Sequence, residues 1–317
     1  MDTNGQYESL MRKLTVVKDR VRGVVHGLYN GLYLYGRAGT SKTHTVCTTL
    51  ETLAVNYTLT NGHLTEIGLF DLIAENRSRI IVMDDVSAIF NKPIALQLLL
   101  AALGTPHDGS RTRQVKYKTA RETVTVPFTG GLICISNLAL DGHHHEILAA
   151  LRDRAFVLQY EPTDEEIIAL IHKLAQDGHG GVPPAKAKSV AVHVIDECKK
   201  REVRPSVRLF VDKALKDYQL WEAKKCETHW RDLVVSNIEQ QLVELQHDTI
   251  DLSRAEQIDA ERRIALDISL GFTSRPERIV EWKERTGKSP AAFYRRLKEL
   301  KDAGLLPDAG SGSDGDL

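Results

Sequence analysis

The chain has 317 residues, with 42 Lys and Arg against 43 Asp and Glu and a formal net charge of −1. At roughly 100–200 residues per domain this is room for two domains or three small ones. Its 42% apolar and 27% charged residues exclude collagen-like, wholly disordered and disulfide-scaffold chains. The near-zero charge excludes only a uniformly basic nucleic-acid coat, and leaves local patches open.

The four cysteines, Cys47, Cys134, Cys198 and Cys226, are far apart and form no CxxC pair or zinc spacing. Reduced thiols in a cytoplasmic protein are the expectation. No apolar run approaches the roughly 18 residues that span a bilayer, so no membrane partner is expected. Met1–Ser9 is polar and carries acids, unlike a secretory signal.

In chain order, residues 6–28 place Leu, Met and Val among Lys and Arg at helical spacing and predict a leading helix. Gly31–Tyr35 is a short apolar strand ending in a Gly-rich turn at 36–41, and Thr43 onward reads as a helix. Arg79–Met83 is a second apolar strand, followed by Asp84 and Asp85. Residues 95–103 are helical by Leu and Ala content. Residues 115–119 and 123–126 alternate at period two and predict a β-hairpin. Gly131–Ser136 is a third buried strand and 155–158 a fourth. Short apolar strands alternating with helices predict a parallel α/β sheet covered on both faces.

After Tyr160 the pattern is helical. Thr163-Asp-Glu-Glu166 has the form of a capping box. Helices follow at 164–176, 185–200 and 206–222, with Pro205 expected to start the last, then at 226–269. Gly304–Leu317 is rich in Gly, Ser and Asp and reads as a disordered tail. The predicted organisation is an N-terminal helix (1–30), a nucleotide-binding core (31–160), a helical lid (161–225), a helical linker (226–272), a two-helix unit (273–302) and an acidic tail (303–317).

The strongest chemical signal is Gly36-Arg-Ala-Gly39-Thr40-Ser41-Lys42-Thr43, set between strand and helix as a P-loop must be. Successive backbone N–H groups at a helix N-terminus cradle phosphate oxygens. Lys42 brings a point charge to the phosphates, and the Thr43 hydroxyl is a ligand for Mg²⁺. Ser41 stands where G-x-x-x-x-G-K-[ST] has Gly, which predicts a working but altered loop. Asp84 is the expected second holder of Mg²⁺, and Asp85 the water-activating carboxylate.

On these residues the chain resembles the AAA+ ATPases over roughly residues 25–220. Residues 36–43 look like Walker A, and 80–85 look like Walker B, with Asp85 in place of the commoner Glu. Asn137, ending the third strand, resembles sensor 1, which positions the attacking water. Arg154 is the better match to the family's arginine finger, with Arg152 as the alternative. Arg208 is the favoured match to sensor 2, ahead of Arg204. The resemblance implies ATP and Mg²⁺ as ligands. It also implies a homo-oligomer, a hexamer or other ring, with each finger reaching a neighbouring copy.

Two basic features point toward DNA. Residues 111–121 carry Arg111, Arg113, Lys116, Lys118 and Arg121 and no acid. Lys116 and Lys118 share one strand face, and Tyr117 takes the other. The hairpin resembles the pre-sensor-1 hairpin of AAA+ branch-migration motors, minichromosome-maintenance-type helicases and superfamily III helicases. A solubilising surface hairpin is the alternative. Residues 275–301 have a net charge of +5. There, Ile279, Val280 and Trp282 are expected to supply apolar contacts from one helix, and Phe293, Leu297 and Leu300 from the next. "TGKSPAAFYRRLKEL" is similar to recognition helices of helix-turn-helix units, which implies DNA contacts from Lys288, Arg295 and Arg296. A helical hairpin for protein contacts is the alternative. Three adjacent histidines at 143–145 invite a metal reading, but adjacent side chains in a loop point apart, and none is expected there.

The expected function is an ATPase acting on DNA: a replication or recombination motor, helicase or helicase loader, of a size that suits a phage, plasmid or other mobile element. Two alternatives stand beside it, a nucleotide-switched DNA-binding regulator with slow hydrolysis and a protein-remodelling ATPase.

Overall fold

A computed structural model describes residues 3–306 except 87, 88, 91, 119–121, 141–144, 273 and 304, and the backbone alone at 145, 146, 243–256, 260 and 270. Arg121, the histidine run and most of the acidic tail therefore lie outside what is described. The chain forms two compact units, residues 1–238 and 239–317.

The first unit opens with α1 (Thr3–Val25), whose Leu10, Leu14, Val17, Val21 and Val24 recur every three or four residues and are all buried. Five strands follow, interleaved with helices: β1 (Gly31–Tyr35), α2 (Lys42–Thr52), β2 (Tyr57–Asn61), α3 (Glu66–Glu75), β3 (Ile80–Asp84), α4 (Pro93–Leu103), β6 (Gly131–Ser136), α5 (His145–Arg154) and β7 (Phe156–Gln159). Between α4 and β6 lies a separate antiparallel hairpin, β4 (Arg113–Lys118) and β5 (Thr123–Phe128). The five strands pair in parallel in the order β2-β3-β6-β1-β7.

Side-chain alternation divides the core between the two faces of this sheet. Leu32, Leu34, Ile80, Val82, Ile133 and Ile135 pack with the apolar stripe of α1 and with Val46 and Leu50 of α2. Tyr33, Ile81, Met83, Leu132 and Cys134 face α3, α4 and α5. Burial on both faces explains why the central strands are continuously apolar. The edge strand β2, with Thr58, Leu59 and Thr60 only partly covered, lacks that signature and escapes prediction, as does α3. Thr65 caps α3 by accepting from the Gly68 N–H at 3.0 Å.

The rest of this unit is helical: α6 (Asp164–Asp177), α7 (Pro184–Lys200), a π-helical stretch Leu209–Ala214 and α8 (Leu215–Glu222). The predicted capping box at the start of α6 is present. Glu166 within it is buried and also accepts from Ser9 Oγ and Lys13 Nζ of α1, each at 2.7 Å. Burial opposes its charge, and these partners overcome that opposition, holding its carboxyl below the usual range. Pro205 does not start the following helix. Ser206 caps it, its hydroxyl accepting from Leu209 N at 3.1 Å, and Pro205 precedes the cap.

α9 (Trp230–Gly271) begins in the first unit. Its C-terminal part, with α10 (Arg275–Thr286) and α11 (Pro290–Asp302), encloses the second unit's small core of Ala265, Ile268, Trp282, Phe293 and Leu300. Gly287, in the left-handed region at φ 68°, ends α10. Val280, expected in this core, is exposed instead. The four cysteines are all free, and burial pushes the Cys134 thiol up to about 12. No helix among the described residues is long and apolar enough to cross a membrane.

Candidate functional site

The C-terminal ends of β1, β3 and β6 deliver three motif segments to one place, where ligands bind in parallel α/β sheets. A cavity of about 420 Å³ opens there, within the range of small-molecule sites. Gly39, Thr40, Ser41, Lys42 and Thr43 line one side, Asp84, Asp85 and Asn137 the strand ends, and Arg208 the side of the helical bundle.

The loop is built for close approach. A Cβ on Gly36 would lie 2.0 Å from the Tyr160 carbonyl oxygen. Gly39 has φ 72°, and a Cβ there would meet Ser206 at 2.8 Å. Ser41, the residue before α2, sits at φ 68°, ψ 23°. The glycine of the usual pattern is thus replaced at a position that demands the left-handed conformation, at a cost of about 1–2 kcal/mol for an L-residue. Asp85 has φ 53°, so both departures from the pattern sit on strained backbone.

Lys42 is buried, and its Nζ donates to Gly36 O at 2.6 Å, Arg37 O at 2.8 Å and Asn137 Oδ1 at 3.0 Å. Burial pushes its pKa down, against the attraction of Asp85 and Asp84. Asn137 also donates Nδ2 to Asp85 Oδ1 at 3.1 Å, which fixes the Asp85 carboxylate next to the lysine. The Thr43 hydroxyl donates to Asp84 Oδ2 at 2.9 Å. Burial raises the Asp84 pKa, and the Thr43 hydrogen bond opposes the rise.

Thr43 and Asp84 together offer hard oxygen donors at the cavity wall, which suits Mg²⁺, an ion that takes few protein ligands and keeps phosphate and water as the rest. No group of three or more His, Cys, Asp or Glu that could hold a metal occurs among the described residues.

The two candidate lid arginines part company. Arg208 lines the cavity. Arg204 turns away, its Nε donating to Asp164 at 3.1 Å and 3.3 Å. Arg154 is exposed, donates to Leu100 O at 2.9 Å and does not line this cavity. Arg152 donates to Leu140 O. His44 on α2 is exposed and borders the cavity. The remaining wall was invisible to motif reasoning: Leu14 of α1, Leu170 and Leu174 of α6, Val207, and Val211 and Asp212 of the π-helical stretch, with His179. The apolar members carry only helical apolar periodicity in the sequence, which any core residue shares, and Asp212 and His179 belong to no motif.

The basic hairpin divides by face. Lys116 and Lys118 are exposed and lie opposite Thr125 and Thr123. Arg111 is also exposed. Arg113 is not available to a partner. It is buried, with Nε donating to Phe128 O at 3.3 Å, Nη2 to Gly130 O, and its guanidinium stacked 4.9 Å from the Phe128 ring. Burial lowers its pKa to about 10. It shares the inward strand face with Val115, Val126 and Phe128, which sit in the core.

The second unit shows the same division. Lys288 and Arg296 both donate to buried Glu261, Arg296 Nε at 2.8 Å, and Arg296 Nη1 donates to Glu299 at 2.6 Å. Arg296, nine-tenths covered, is therefore a brace between α11 and α9 rather than an outward base. Arg295 and Lys298 are exposed. Tyr294, also exposed, accepts from Arg275 Nε at 2.7 Å.

No protein-family model and no curated protein matches the chain. Among solved structures, it is similar to the Aeropyrum pernix ORC2 protein in its ADP form, at 16% identity and TM-score 0.46 over 93% of this chain and 85% of that one. It is also similar to a point mutant of Thermotoga maritima RuvB, at 15% identity and TM-score 0.44 over 96% and 91%. The chain has an α/β fold in which the loop after β1 and the paired carboxylates at the end of β3 meet at the C-terminal edge of a five-stranded parallel sheet, with a helical bundle following.

Proposed function

We propose that this protein is an ATP-hydrolysing AAA+ protein that acts on DNA. The observation that carries the reading is the convergence of Lys42, Thr43, Asp84, Asp85, Asn137 and Arg208 on one cavity from four separate chain segments. In this reading the loop N–H groups and Lys42 bind the phosphates, and Thr43 with Asp84 holds Mg²⁺. The metal supplies charge stabilisation to the transferring phosphoryl group. Asp85, held by Asn137, orients the attacking water and takes its proton. Arg208 carries the bundle's response to the phosphates, and Arg154, exposed and remote from its own cavity, completes the site of a neighbouring copy in a ring, most simply a hexamer.

Lys116 and Lys118 on the hairpin, with Arg111, and Arg295 with Lys298 on α11, are exposed cations placed to meet a DNA backbone. The names of the similar structures, ORC2 and RuvB, agree with this direction without adding weight to it. A second reading, an ATP-switched DNA-binding regulator with slow hydrolysis, draws support from Ser41 and Asp85, the two strained departures from the usual pattern.

The test is nucleotide turnover by the full chain with single-stranded, duplex and branched DNA. Lys42→Ala is expected to lower turnover by at least about 100-fold while DNA binding persists in part. Full turnover in that variant sinks the site assignment. DNA binding with negligible turnover in the native chain selects the switch.

A further inference from the structure

Arg37, the second residue of the phosphate loop, contributes nothing to the reading above, yet it makes more contacts outside the loop than any loop residue described here. Its Nη1 donates to Asp164 Oδ1 at 2.5 Å, and its Nη2 donates to Pro205 O at 3.1 Å. Its backbone N–H donates to Glu161 Oε2 at 3.2 Å. The side chain is 16% exposed, and Nε is buried without an acceptor. Burying an arginine with one nitrogen unsatisfied is costly, so something must hold it there. What holds it is the pair of chain passages into the helical bundle. Residues 161–164 lead from β7 into α6, and residues 203–206 lead from α7 toward Arg208.

The other end of the same residue faces the phosphate site. The Arg37 carbonyl accepts from Lys42 Nζ at 2.8 Å and from Thr40 Oγ1 at 2.8 Å. Lys42 has three donors and uses all three on Gly36, Arg37 and Asn137. A phosphate that takes the lysine must therefore draw at least one N–H away from these acceptors. A second loop contact runs in parallel, Val207 N donating to Gly39 O at 3.0 Å.

We propose that Arg37 is a positioning residue that couples phosphate occupancy at Lys42 to the placement of Arg208. It acts by clamping the loop to Asp164 and to the Pro205 carbonyl three residues before that arginine. The proposal rests on the reading of the cavity as a nucleotide site. Its chemistry needs the planar fork of arginine, because one guanidinium spans a carboxylate and a carbonyl that a lysine ammonium on its single stem cannot both reach. Arg204 supplies an internal control. It shares Asp164, at 3.1 Å, but does not touch the loop.

The experiment uses the full chain with Arg37→Ala, Arg37→Lys, Asp164→Ala, Arg204→Ala and the double variant Arg37→Ala/Asp164→Ala. Nucleotide Kd, kcat and KM are measured, together with hydrogen exchange of residues 203–214 with and without ADP. Arg37→Ala is expected to lower kcat by about 10-fold or more with Kd changed less than about 3-fold, since a group acting on the transition state through another residue spares ground-state binding. Arg37→Lys should recover little of the loss, and the double variant should be no worse than Arg37→Ala alone. Protection of 203–214 gained with ADP in the native chain should vanish in Arg37→Ala and survive in Arg204→Ala. A loss confined to Kd, additive effects in the double variant, or protection retained in Arg37→Ala overturns the proposal and leaves the nucleotide site standing. A native chain that binds no nucleotide overturns both.

Discussion

Lys42 in the first unit and Arg296 in the second are both largely covered cations, and they are covered for opposite ends. Lys42 is surrounded by carbonyl oxygens and an amide, with the carboxylates of Asp84 and Asp85 nearby but not hydrogen-bonded to it. Its charge is incompletely answered, and burial depresses its pKa. Arg296 is answered by two carboxylates, Glu261 and Glu299. A cation left wanting an anion in a cavity is a binding group. A cation already satisfied by its own chain is a strut. Three residues apart on the hairpin, Arg113 is buried with the Phe128 and Gly130 carbonyls as acceptors, while Lys116 is exposed.

The largest test of this distinction in stability is Glu261→Ala. It strips buried partners from both Lys288 and Arg296 and is expected to destabilise the second unit by about 3 kcal/mol, read by thermal or denaturant unfolding. The same group sets an acid limit. Burial opposes the Glu261 charge, but Lys288 and Arg296 hold its carboxyl below the usual range. A depressed carboxyl contributes stability that is present above its unfolded pKa and lost as pH falls through the folded one. The unfolding free energy of this unit should therefore drop below about pH 4, and Glu261→Gln should flatten that limb. An unchanged acid limb in the variant contradicts the strut.

Arg113→Ala comes next, at about 2 kcal/mol, because it leaves two carbonyls without their donor beside a core aromatic ring. Lys116→Ala and Lys118→Ala should move stability by no more than about 0.5 kcal/mol. Each should lower the slope of log DNA affinity against log salt by about 0.9 if it meets a phosphate. Arg295→Ala is expected to act like the lysines and Arg296→Ala like Arg113→Ala. Equal salt slopes for Arg295 and Arg296 variants would erase the contrast between them. Ser41→Gly works in the opposite direction. Relief of the left-handed serine should stabilise the first unit by about 1 kcal/mol, with nucleotide binding retained.

The legibility of the site follows from how local its parts are. Gly36–Thr43 and Asp84-Asp85 are contiguous, and a strand that delivers them carries its own apolar signature, so both can be read in order along the chain. The central strands β1, β3 and β6 are legible for the same reason, while β2 at the edge alternates weakly and is not. Ser41 was recognisable as a departure, but its φ of 68° was not, because backbone conformation depends on how the loop closes onto α2. The apolar cavity wall from Leu14 to Val211 carries no mark that separates it from ordinary core.

The sequence by itself determined where the candidate phosphate loop lies, where the buried strands β1, β3 and β6 run, and that two stretches are rich in bases. It did so because those features are written in spacing and in runs of one residue type. Only the tertiary structure decided which bases remain available and which arginine faces the cavity. Arg113, Arg296 and Lys288 are spoken for by groups 15 to 35 residues away, and Arg37 is held to Asp164 and Pro205, 127 and 168 residues away. Charge is a property of a residue, but its availability depends on which acceptor the fold brings within about 3 Å.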